Sequence, residues 1–494
     1  MGDAAPHAWP RFLLDGKVVE ARDATPTTTL LQYLRGPLAR HGTKEGCAEG
    51  DCGACTVVVG EPAEGRIRYR AVNACIRFVA AVDGCEVVTA ESLRAPSGSL
   101  HPVQQALVDC HGSQCGFCTP GFVMSLFAGY LEGTLGEREA VLDTISGNLC
   151  RCTGYRPIID AARSVPGRPE PDHWGRADAQ SASRRAALDA IQPNPDSGLR
   201  MDSGAGFDAP RSLGALADLY AANPEALLLA GGTDVGLWVT QQMRELPRII
   251  HLGNVPELAR IDAHASHLEI GAAVDLQRAY AAIVAEYPTL AQLANRFASV
   301  PIRNAGTLCG NVANGSPIGD SMPVLIALGA TVVLRRGSAR RELPMEALYL
   351  GYQRKALQPG EFVASVRIPR ADAGVHVASY KISKRFEQDI SAICAGIAVQ
   401  VRDGRIASAR IAFGGMAPTP KRAPQAEAAL VGAPWTRPTI QAATLALARD
   451  YDPISDMRAS AGYRRTVAGN LLERFFLEHA TPGEAVSVFA DLRP

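Results

Sequence analysis

The first third of the chain changes from a strand pattern to a helix pattern. Residues 12–23, FLLDGKVVEARD, place apolar and β-branched positions on both sides of the turn pair Asp15-Gly16, which predicts two short strands. TVVVG at 56–60 predicts another strand, so a small sheet should come first. The apolar spacing is helical from Pro102 to Ala162, with prolines placed as in first helical turns at 102, 120 and 157. We therefore expect a sheet domain at 8–92 and a helical domain at 93–165.

The remainder of the chain shows three further patterns. Residues 166–202 are rich in Pro, Asp, Ser and Ala without clear periodicity, and they predict a linker. Strand-like runs such as ALLLAG, RIIHLG and TVVLRR then alternate with helical stretches, which predicts an α/β arrangement over 203–373. Residues 374–494 begin with strands and end with helices, the order of an α+β domain.

Composition and charge narrow the possible functions. The 494 residues suffice for three or four domains, and 47% of them are hydrophobic. Fifty basic and 50 acidic side chains balance, which argues against a nucleic-acid partner. No run approaches the length of a membrane helix and Met1–Pro10 does not resemble a leader, so we expect a cytoplasmic protein without membrane association. Disulfides are rare in that compartment, and the 12 cysteines therefore indicate metal binding or catalysis.

The first cysteine group has the spacing C-x4-C-x2-C with a fourth cysteine further on. Its members are Cys47, Cys52, Cys55 and Cys75. This spacing is the plant-type [2Fe-2S] pattern, and the neighbouring Gly46, Gly50 and Gly53 suit a tight loop with amides directed at sulfur. A zinc knuckle is the alternative, although it usually has two closely spaced pairs.

The second group combines C-x2-C with C-x-C and is less diagnostic from spacing alone. Its members are Cys115, Cys118, Cys150 and Cys152. Each pair precedes a predicted helix, whose first amides would favour thiolates. A four-cysteine zinc site stays open. The short spacing of Cys150 and Cys152 suits two ligands that reach the same iron.

Two glycine-rich segments in the second half could surround a ligand. LLLAGGTDVG at 227–236 is a strand followed by a Gly-Gly turn that could bring amides to a diphosphate, although it does not fit the dinucleotide fingerprint of a Rossmann fold. Residues 297–323, FASVPIRNAGTLCGNVANGSPIGDSMP, are rich in Gly, Asn and Ser and suit a backbone that wraps a ligand. Cys85, Cys110, Cys309 and Cys394 match no ligand position, and we interpret them as buried thiols.

Three cysteine motifs resemble those of the xanthine dehydrogenase and aldehyde oxidase family of molybdenum hydroxylases. They are GCAEGDCGACTV, SQCGFCTPGF and GNLCRCTGYRPI. The resemblance implies two [2Fe-2S] clusters, one in a β-grasp ferredoxin-like domain and one in a four-helix bundle. It also implies that Gln114 and Cys150 lie near the pterin of a molybdenum cofactor on a partner subunit, whereas an ordinary helix-end contact would be the simpler role for Gln114.

The two glycine-rich segments resemble the family's FAD-binding domain, an α+β fold of the PCMH/VAO type. The resemblance implies a diphosphate loop formed by Leu228, Leu229, Ala230, Gly231, Gly232, Thr233, Asp234 and Val235. It also implies FAD contacts from Phe297, Thr307, Asn311, Asp320 and Lys381, with Asp320 on the ribose and Lys381 near the flavin. The simpler roles are core packing for Phe297, a helix cap for Asp320 and a solvated strand position for Lys381.

The resemblance extends over nearly the whole chain. AFGGMAPTPKRA at 412–423 resembles the family's C-terminal domain, which is similar to that of carbon monoxide dehydrogenase flavoproteins. The domain order is that of the small subunit in the xanthine dehydrogenase members, and no segment corresponds to their molybdenum-binding region. The resemblance thus implies a molybdopterin-binding large subunit in an α2β2 assembly, with electrons passing through both clusters and FAD to NAD.

Two alternatives remain at this point. Within the family, the chain could serve an aldehyde or other N-heterocycle hydroxylase, because the substrate is chosen on the other subunit. Outside it, a non-enzymatic zinc protein could use both cysteine groups. Neither catalytic residues nor a nicotinamide fingerprint are visible in the sequence, so the final acceptor, NAD or oxygen, is left open.

Overall fold

The computed structural model describes residues 6–63, 65–192 and 198–480. These residues form two compact units. The first contains residues 1–257 with the short segments 275–277 and 298–306, and the second contains 258–274, 278–297 and 307–494. Residues 203–373, predicted as one domain, thus contribute to both units. The predicted linker residues 193–197 and the last predicted residues, 481–494, lie outside the described part.

A β-grasp sheet with one packed helix opens the first unit. Its elements are β1 (Arg11–Leu14), β2 (Lys17–Glu20), α1 (Leu30–Arg35), β3 (Thr56–Ala63), β4 (Arg66–Asn73) and β5 (Glu86–Val88). The strand order is β2-β1-β5-β3-β4, and β1 pairs in parallel with β5. Both Asp15 and Gly16 have positive φ, as a tight two-residue hairpin turn requires, so the predicted hairpin is confirmed.

Four helices follow, as the sequence predicts. They are α2 (Pro102–Asp109), α3 (Thr119–Glu132), α4 (Arg138–Thr144) and α5 (Arg156–Ser164). All three prolines lie in first turns, where the missing N–H costs no hydrogen bond. Phe122, Phe127 and Ile158 are fully buried between the helices. Burying side chains of this size contributes about 1.5–3 kcal/mol each.

The segment 166–202, which the sequence predicts as a linker, contains regular structure. This segment forms α6 (Arg176–Ala179) and α7 (Ala182–Ala190). Trp174 is 2% exposed and lies edge-on to Tyr69 of the sheet and to Phe127 of α3. Arg184 stacks on the Trp174 ring and forms an ion pair with the buried Glu86. The segment therefore holds the sheet and the helices together.

A small mixed sheet completes the first unit. Its elements are β6 (Leu199–Met201), β7 (Phe207–Ala209), α8 (Leu213–Ala222), β8 (Leu227–Leu229), α9 (Val235–Thr240) and β9 (Ile249–His251). The strand order is β6-β7-β9-β8, and β8 pairs in parallel with β9. The predicted alternation of strands and helices is confirmed for this part of the chain.

The second unit is built on two antiparallel sheets of five and four strands. Its first part runs through β10 (Ile261–Ala263), β11 (His267–Gly271), α10 (Leu276–Glu286), α11 (Ala291–Arg296), α12 (Val300–Ala305, grouped with the first unit), α13 (Leu308–Asn314), α14 (Ser321–Ala327), β12 (Thr331–Arg336), β13 (Ala339–Pro344), β14 (Tyr349–Gly351), β15 (Arg354–Lys355) and β16 (Phe362–Pro369). The main sheet has the order β10-β11-β16-β12-β13.

The C-terminal part has the predicted order of strands before helices. It consists of β17 (Val375–Ile382), β18 (Ile393–Arg402), β19 (Arg405–Gly414), β20 (Lys421–Arg422), α15 (Pro424–Leu430), α16 (Arg437–Leu447) and α17 (Ala461–Ala480). Its strands form one sheet in sequence order. Ile397, Ile411 and Phe475 are buried between this sheet and the helices.

Candidate electron-transfer and flavin sites

The four cysteines of the first group meet beside the β-grasp sheet. Three lie in the loop between α1 and β3, and Cys75 follows β4. The thiols lie in two neighbouring pairs, Cys47 with Cys52 and Cys55 with Cys75. The structure thus brings together all four predicted residues, although they span 29 positions of the sequence.

Backbone amides surround the sulfur atoms of this first site. Cys52 N–H donates to the Cys47 sulfur at 3.3 Å, and Glu49 N–H donates to the same sulfur at 3.5 Å. The Cys52 thiol and these amides together lower the pKa of Cys47 to about 5, although burial opposes the shift. These contacts favour thiolate, the form that binds iron, at Cys47, whereas the same thiol pair raises the pKa of Cys52.

The glycines of this loop are required by close packing. A Cβ on Gly46 would come within 2.8 Å of the Cys52 sulfur. Gly53 has a φ of +68°, and a Cβ there would lie 2.0 Å from the carbonyl oxygen of Gly147. The loop can therefore wrap a cluster tightly only because side chains are absent at these positions.

The second cysteine group surrounds the start of α3 and the loop before α5. Its thiols also form two pairs, but each pair takes one member from each motif: Cys115 with Cys152, and Cys118 with Cys150. Neighbouring thiols thus come from different loops, and the expectation that Cys150 and Cys152 reach the same iron stays a prediction. The amide of Phe117 lowers the pKa of Cys115, whereas burial raises the pKa of Cys118 to about 12.

The two sites differ in exposure. In the first, Cys55 and Cys75 are buried and the other two are half-buried. In the second, Cys115 and Cys152 are exposed, beside the exposed apolar side chains of Phe117 and Leu149. Gln114 is also exposed and caps no helix, so the simpler role expected for it is not observed.

A hydrogen bond connects the two cysteine sites. Leu149 N–H, adjacent to Cys150, donates to the carbonyl of Cys52 at 3.0 Å. The side-chain amide of Asn148 donates to the Gly53 carbonyl at 3.1 Å, and Ser125 orients Asn148 from α3 at 2.6 Å. This contact gives electrons a short path of covalent bonds and one hydrogen bond between the two ligand loops.

The sulfur arrangement fits [2Fe-2S] clusters better than zinc. A tetrahedral zinc with bonds of about 2.3 Å would hold all four sulfurs roughly 3.8 Å apart. Across the described chain, no three cysteine sulfurs lie within 4.8 Å of one another. Two separate pairs are what two irons with two thiolates each require.

The four cysteines outside these groups form no disulfide, since all 12 thiols are free. Cys85, Cys309 and Cys394 are buried as predicted, while Cys110 is half-buried.

The predicted diphosphate loop is a tight turn in the first unit. Leu228 and Leu229 end β8, Val235 begins α9, and the residues between them form the turn. Gly232 has a φ of +74°, and a Cβ on Gly231 would lie 1.9 Å from the Ala305 carbonyl oxygen. Asp234 is exposed. The bare backbone of Gly231 and Gly232 suits the close approach of a diphosphate.

His251 supports this turn and was not identified from the sequence. It ends β9, is 2% exposed, and its ring hydrogen-bonds the backbone of Ala230. Burial lowers the pKa of His251 to about 3, so the ring is neutral at physiological pH. A single histidine inside the apolar run RIIHLG gives no signal of such a contact.

The remaining predicted flavin residues lie in the second unit. Asp320 precedes α14 but does not cap it; its carboxylate accepts from Lys381 at 2.5 Å and from Ser391 at 2.6 Å. Both the helix-cap role for Asp320 and the solvated role for Lys381 are therefore wrong, since both side chains are buried. Sequence reasoning assigned the two residues to different parts of FAD and did not identify their ion pair.

Three more predicted residues have distinct surroundings in the second unit. Thr307 caps α13 by accepting from Gly310 N–H at 3.0 Å. Asn311 Oδ1 is buried without a hydrogen-bond partner in the described chain, which fits an acceptor reserved for a ligand hydroxyl or amide. Phe297 is buried and contacts the ring of Tyr280 at 5.2 Å, which is compatible with core packing as well as with a flavin contact.

Outside the cysteines, one other cluster of potential metal ligands occurs in the described residues: His264, His267 and Glu269. The Glu269 carboxylate already accepts from Ser365 at 2.6 Å and from Arg367 at 2.8 Å. Because the Arg367 guanidinium neutralises this carboxylate and repels cations, we assign no metal to the cluster.

None of the described helices combines the length and the apolar composition that a membrane span needs.

Four family models match successive parts of the chain. Residues 12–80 match the 2Fe-2S iron-sulfur cluster binding domain, and 89–163 match the [2Fe-2S] binding domain. Residues 204–371 match the FAD binding domain in molybdopterin dehydrogenase, and 378–479 match the CO dehydrogenase flavoprotein C-terminal domain. The predicted cofactors, two [2Fe-2S] clusters and FAD, are confirmed at the level of the domains.

Individual proteins agree with this order. The chain is 33% identical to xanthine dehydrogenase of Emericella nidulans over 97% of its own length and 39% of the relative. It is 32% identical to aldehyde oxidase 2 of Cavia porcellus over 94% of its length and 39% of that relative. A carbon monoxide dehydrogenase chain from Hydrogenophaga pseudoflava is 30% identical with a TM-score of 0.52, covering 54% of this chain and 94% of that chain. The chain thus spans about two fifths of these curated relatives.

Proposed function

Because the chain belongs to the molybdenum hydroxylase family and contains its iron-sulfur and FAD domains, we propose that it is the electron-transfer subunit of a xanthine dehydrogenase. In this role it carries electrons from a molybdenum cofactor on a partner subunit through both clusters to FAD and then to NAD. The overall reaction is the oxidation of hypoxanthine and xanthine to urate in cytoplasmic purine catabolism.

The observation that carries this proposal is the graded exposure of two connected cysteine sites. The exposed second site is suited to receive electrons at a surface, and the enclosed first site is suited to pass them on within the chain. The Leu149 to Cys52 hydrogen bond joins the two loops. The chain's own residues bind and insulate the clusters, and the iron-sulfur centres supply one-electron chemistry when bound.

The surface chemistry of the second site supports a partner subunit. Phe117 and Leu149 offer apolar contact area around the exposed cysteines, as expected for an interface core. We propose a molybdopterin-binding large subunit at this surface, with Gln114 and Cys150 near the pterin, in an α2β2 assembly.

The flavin contacts belong to the same proposal. The diphosphate would lie on the Gly231-Gly232 turn, and the ribose and flavin on Thr307, Asn311, Asp320 and Lys381, with Phe297 beside the rings. Support comes from the positive φ of Gly232, which shapes the turn, and from the unsatisfied Asn311 oxygen. When bound, FAD would couple one-electron transfer from the clusters to hydride transfer to NAD.

The alternative is the equivalent subunit of an aldehyde or other N-heterocycle hydroxylase. Aldehyde oxidase 2 is nearly as similar, at 32% identity against 33% for the xanthine dehydrogenase, and the substrate would be chosen on the proposed partner subunit. Xanthine remains our proposal because the chain is 33% identical to a xanthine dehydrogenase over 97% of its own length.

Dye reduction by the purified chain tests the function. Electron entry from NADH needs only the flavin, so the chain alone should reduce an artificial dye with NADH. Xanthine should become a donor only after the large subunit is added. A Cys150→Ser variant in the assembled enzyme should lose the xanthine activity and keep the NADH activity. Xanthine-dependent bleaching of the flavin in the isolated, metal-analysed chain would contradict the placement of xanthine oxidation on the partner subunit. Activity of the assembly with aldehydes but not with xanthine would favour the alternative.

A further inference from the structure

Gln241 joins the helix of the diphosphate turn to the loop of the first cysteine site. It directly follows α9, and its side-chain amide donates to the carbonyl oxygens of Cys47 at 3.0 Å and Ala48 at 3.2 Å. Both residues belong to the ligand loop, 194 and 193 positions away in the sequence. One amide group thus fixes two successive peptide units next to a ligand sulfur.

The same helix contacts the other end of the first site. A Cβ on Gly236, in the first turn of α9, would lie 2.4 Å from the carbonyl oxygen of Ile76. Ile76 directly follows the ligand Cys75. Helix α9 is therefore packed without a gap against the residues that present Cys75, while Gln241 holds those that present Cys47.

The hydrogen bonds of Gln241 have an electrostatic consequence. The Ala48 carbonyl and the Glu49 N–H belong to one peptide unit, and that N–H donates to the Cys47 sulfur at 3.5 Å. A donor on the carbonyl polarises the peptide and strengthens its N–H as a donor. Hydrogen bonds to ligand sulfur stabilise the more negative, reduced form of a cluster and raise its reduction potential.

We propose that Gln241 is a positioning residue that raises the reduction potential of the first cluster by holding the peptide units beside Cys47. The inference rests on the proposed function, because it requires a cluster at the first site. Gln241 lies at the surface, so water can partly replace its amide. The effect on the potential is accordingly modest and confined to one cluster.

A redox titration of the holoenzyme, followed by electron paramagnetic resonance, tests the proposal. Gln241→Ala should shift the midpoint potential of the first cluster downward and leave the second cluster unchanged. Gln241→Lys keeps a long side chain with a donor and adds positive charge, so its first cluster should titrate at or above the wild-type potential. Gln242→Ala, a change at the exposed neighbouring glutamine, should match wild type.

Three results would overturn the proposal. One is an unchanged first-cluster potential in Gln241→Ala. Another is an equal fall in Gln241→Lys, which would mean that packing rather than donation matters. The third is an equal shift of both clusters. Failure of the proposed function is distinguishable, because it appears as missing xanthine activity in the assembled wild-type enzyme, whereas this proposal is decided by the potential of the first cluster.

Discussion

The two cysteine sites perform the same chemistry in different environments. The first is enclosed by the β-grasp sheet, and two of its thiols lie in a hydrophobic core. The second lies between loops of the helical bundle, with two thiols exposed. Burial insulates a cluster from solvent, whereas exposure allows contact with another redox centre. One chain can therefore hold two four-cysteine sites with different roles: an exposed site that receives electrons and an enclosed site that passes them on.

Replacing one cysteine in each site should separate these roles most strongly. Cys150→Ser should abolish the second cluster and leave the first cluster and FAD in place, because the first site keeps all four of its own cysteines. Cys55→Ser should abolish the first cluster and also lower folding stability, because it puts a hydroxyl in a hydrophobic core at a cost of about 1–3 kcal/mol. Electron paramagnetic resonance and thermal unfolding measure the two effects. Two intact signals in Cys150→Ser would reject the assignment of the second site.

A matched pair of glycine substitutions tests the difference in packing. Gly53 and Gly116 both have positive φ, +68° and +82°, so alanine costs each about 1–2 kcal/mol in backbone strain. At Gly53 the new Cβ would also strike the Gly147 carbonyl at 2.0 Å, whereas at Gly116 the nearest atom is 4.0 Å away. Gly53→Ala should therefore disturb both cluster signals, and Gly116→Ala should only lower stability slightly. Equal effects would show that the first loop is not tightly enclosed.

Acid should release the second cluster before the first. His101 caps α2 and is 2% exposed, and burial lowers its pKa to about 4. The unfolded chain binds a proton near pH 6.5, so this histidine's stabilisation is complete above pH 6.5 and is lost as pH falls to about 4. The loss amounts to about 3 kcal/mol.

In the first domain the corresponding group is Glu61. Burial opposes ionisation, but Arg70, Arg77 and Arg68 outweigh it and hold the pKa of Glu61 at about 2. Its stabilisation is lost only below pH 4.5. Cluster absorbance and resonance signals between pH 7 and 4.5 should show selective loss of the second site. His101→Asn keeps a capping side chain and should remove this sensitivity; simultaneous loss of both clusters would contradict the prediction.

The cysteine ligands could be predicted because iron-sulfur chemistry restricts spacing and residue type. The pairing of Cys115 with Cys152 could not, since it depends on where α3 and the loop before α5 meet. Likewise, the segment at 166–202 contains helices of only 4 and 9 residues, too short for a clear periodicity. Its Trp174 anchor is a single side chain whose burial depends on partners far away in sequence.

The flavin residues show the same limit. The Gly231-Gly232 turn was predictable because only glycine permits such close backbone packing. The ion pair of Asp320 and Lys381 joins residues 61 positions apart, and the sequence gives no indication of it. Gln241 and His251 act through backbone atoms, which any sequence provides, so their contacts leave no motif.

The smallest predicted effect concerns the flavin and tests whether the cluster sites behave independently of it. Asp320→Asn keeps the shape and removes the charge of the proposed ribose acceptor. It should weaken FAD binding by about 1.5–3 kcal/mol, roughly tenfold to a hundredfold. The electron paramagnetic resonance signals of both iron-sulfur clusters should be unchanged. Flavin content after dialysis, at matched folded fraction, is the measurement.

The ion pair complicates this variant, because Asp320→Asn leaves the buried Lys381 without its counter-charge. A second variant, Asp320→Asn with Lys381→Met, removes both charges and should recover folding stability. If Asp320 and Lys381 contact FAD as proposed, flavin affinity stays low in the double variant, because neither contact is restored. Recovery of flavin affinity together with stability would instead assign Asp320 a structural role, as the partner that allows Lys381 to be buried.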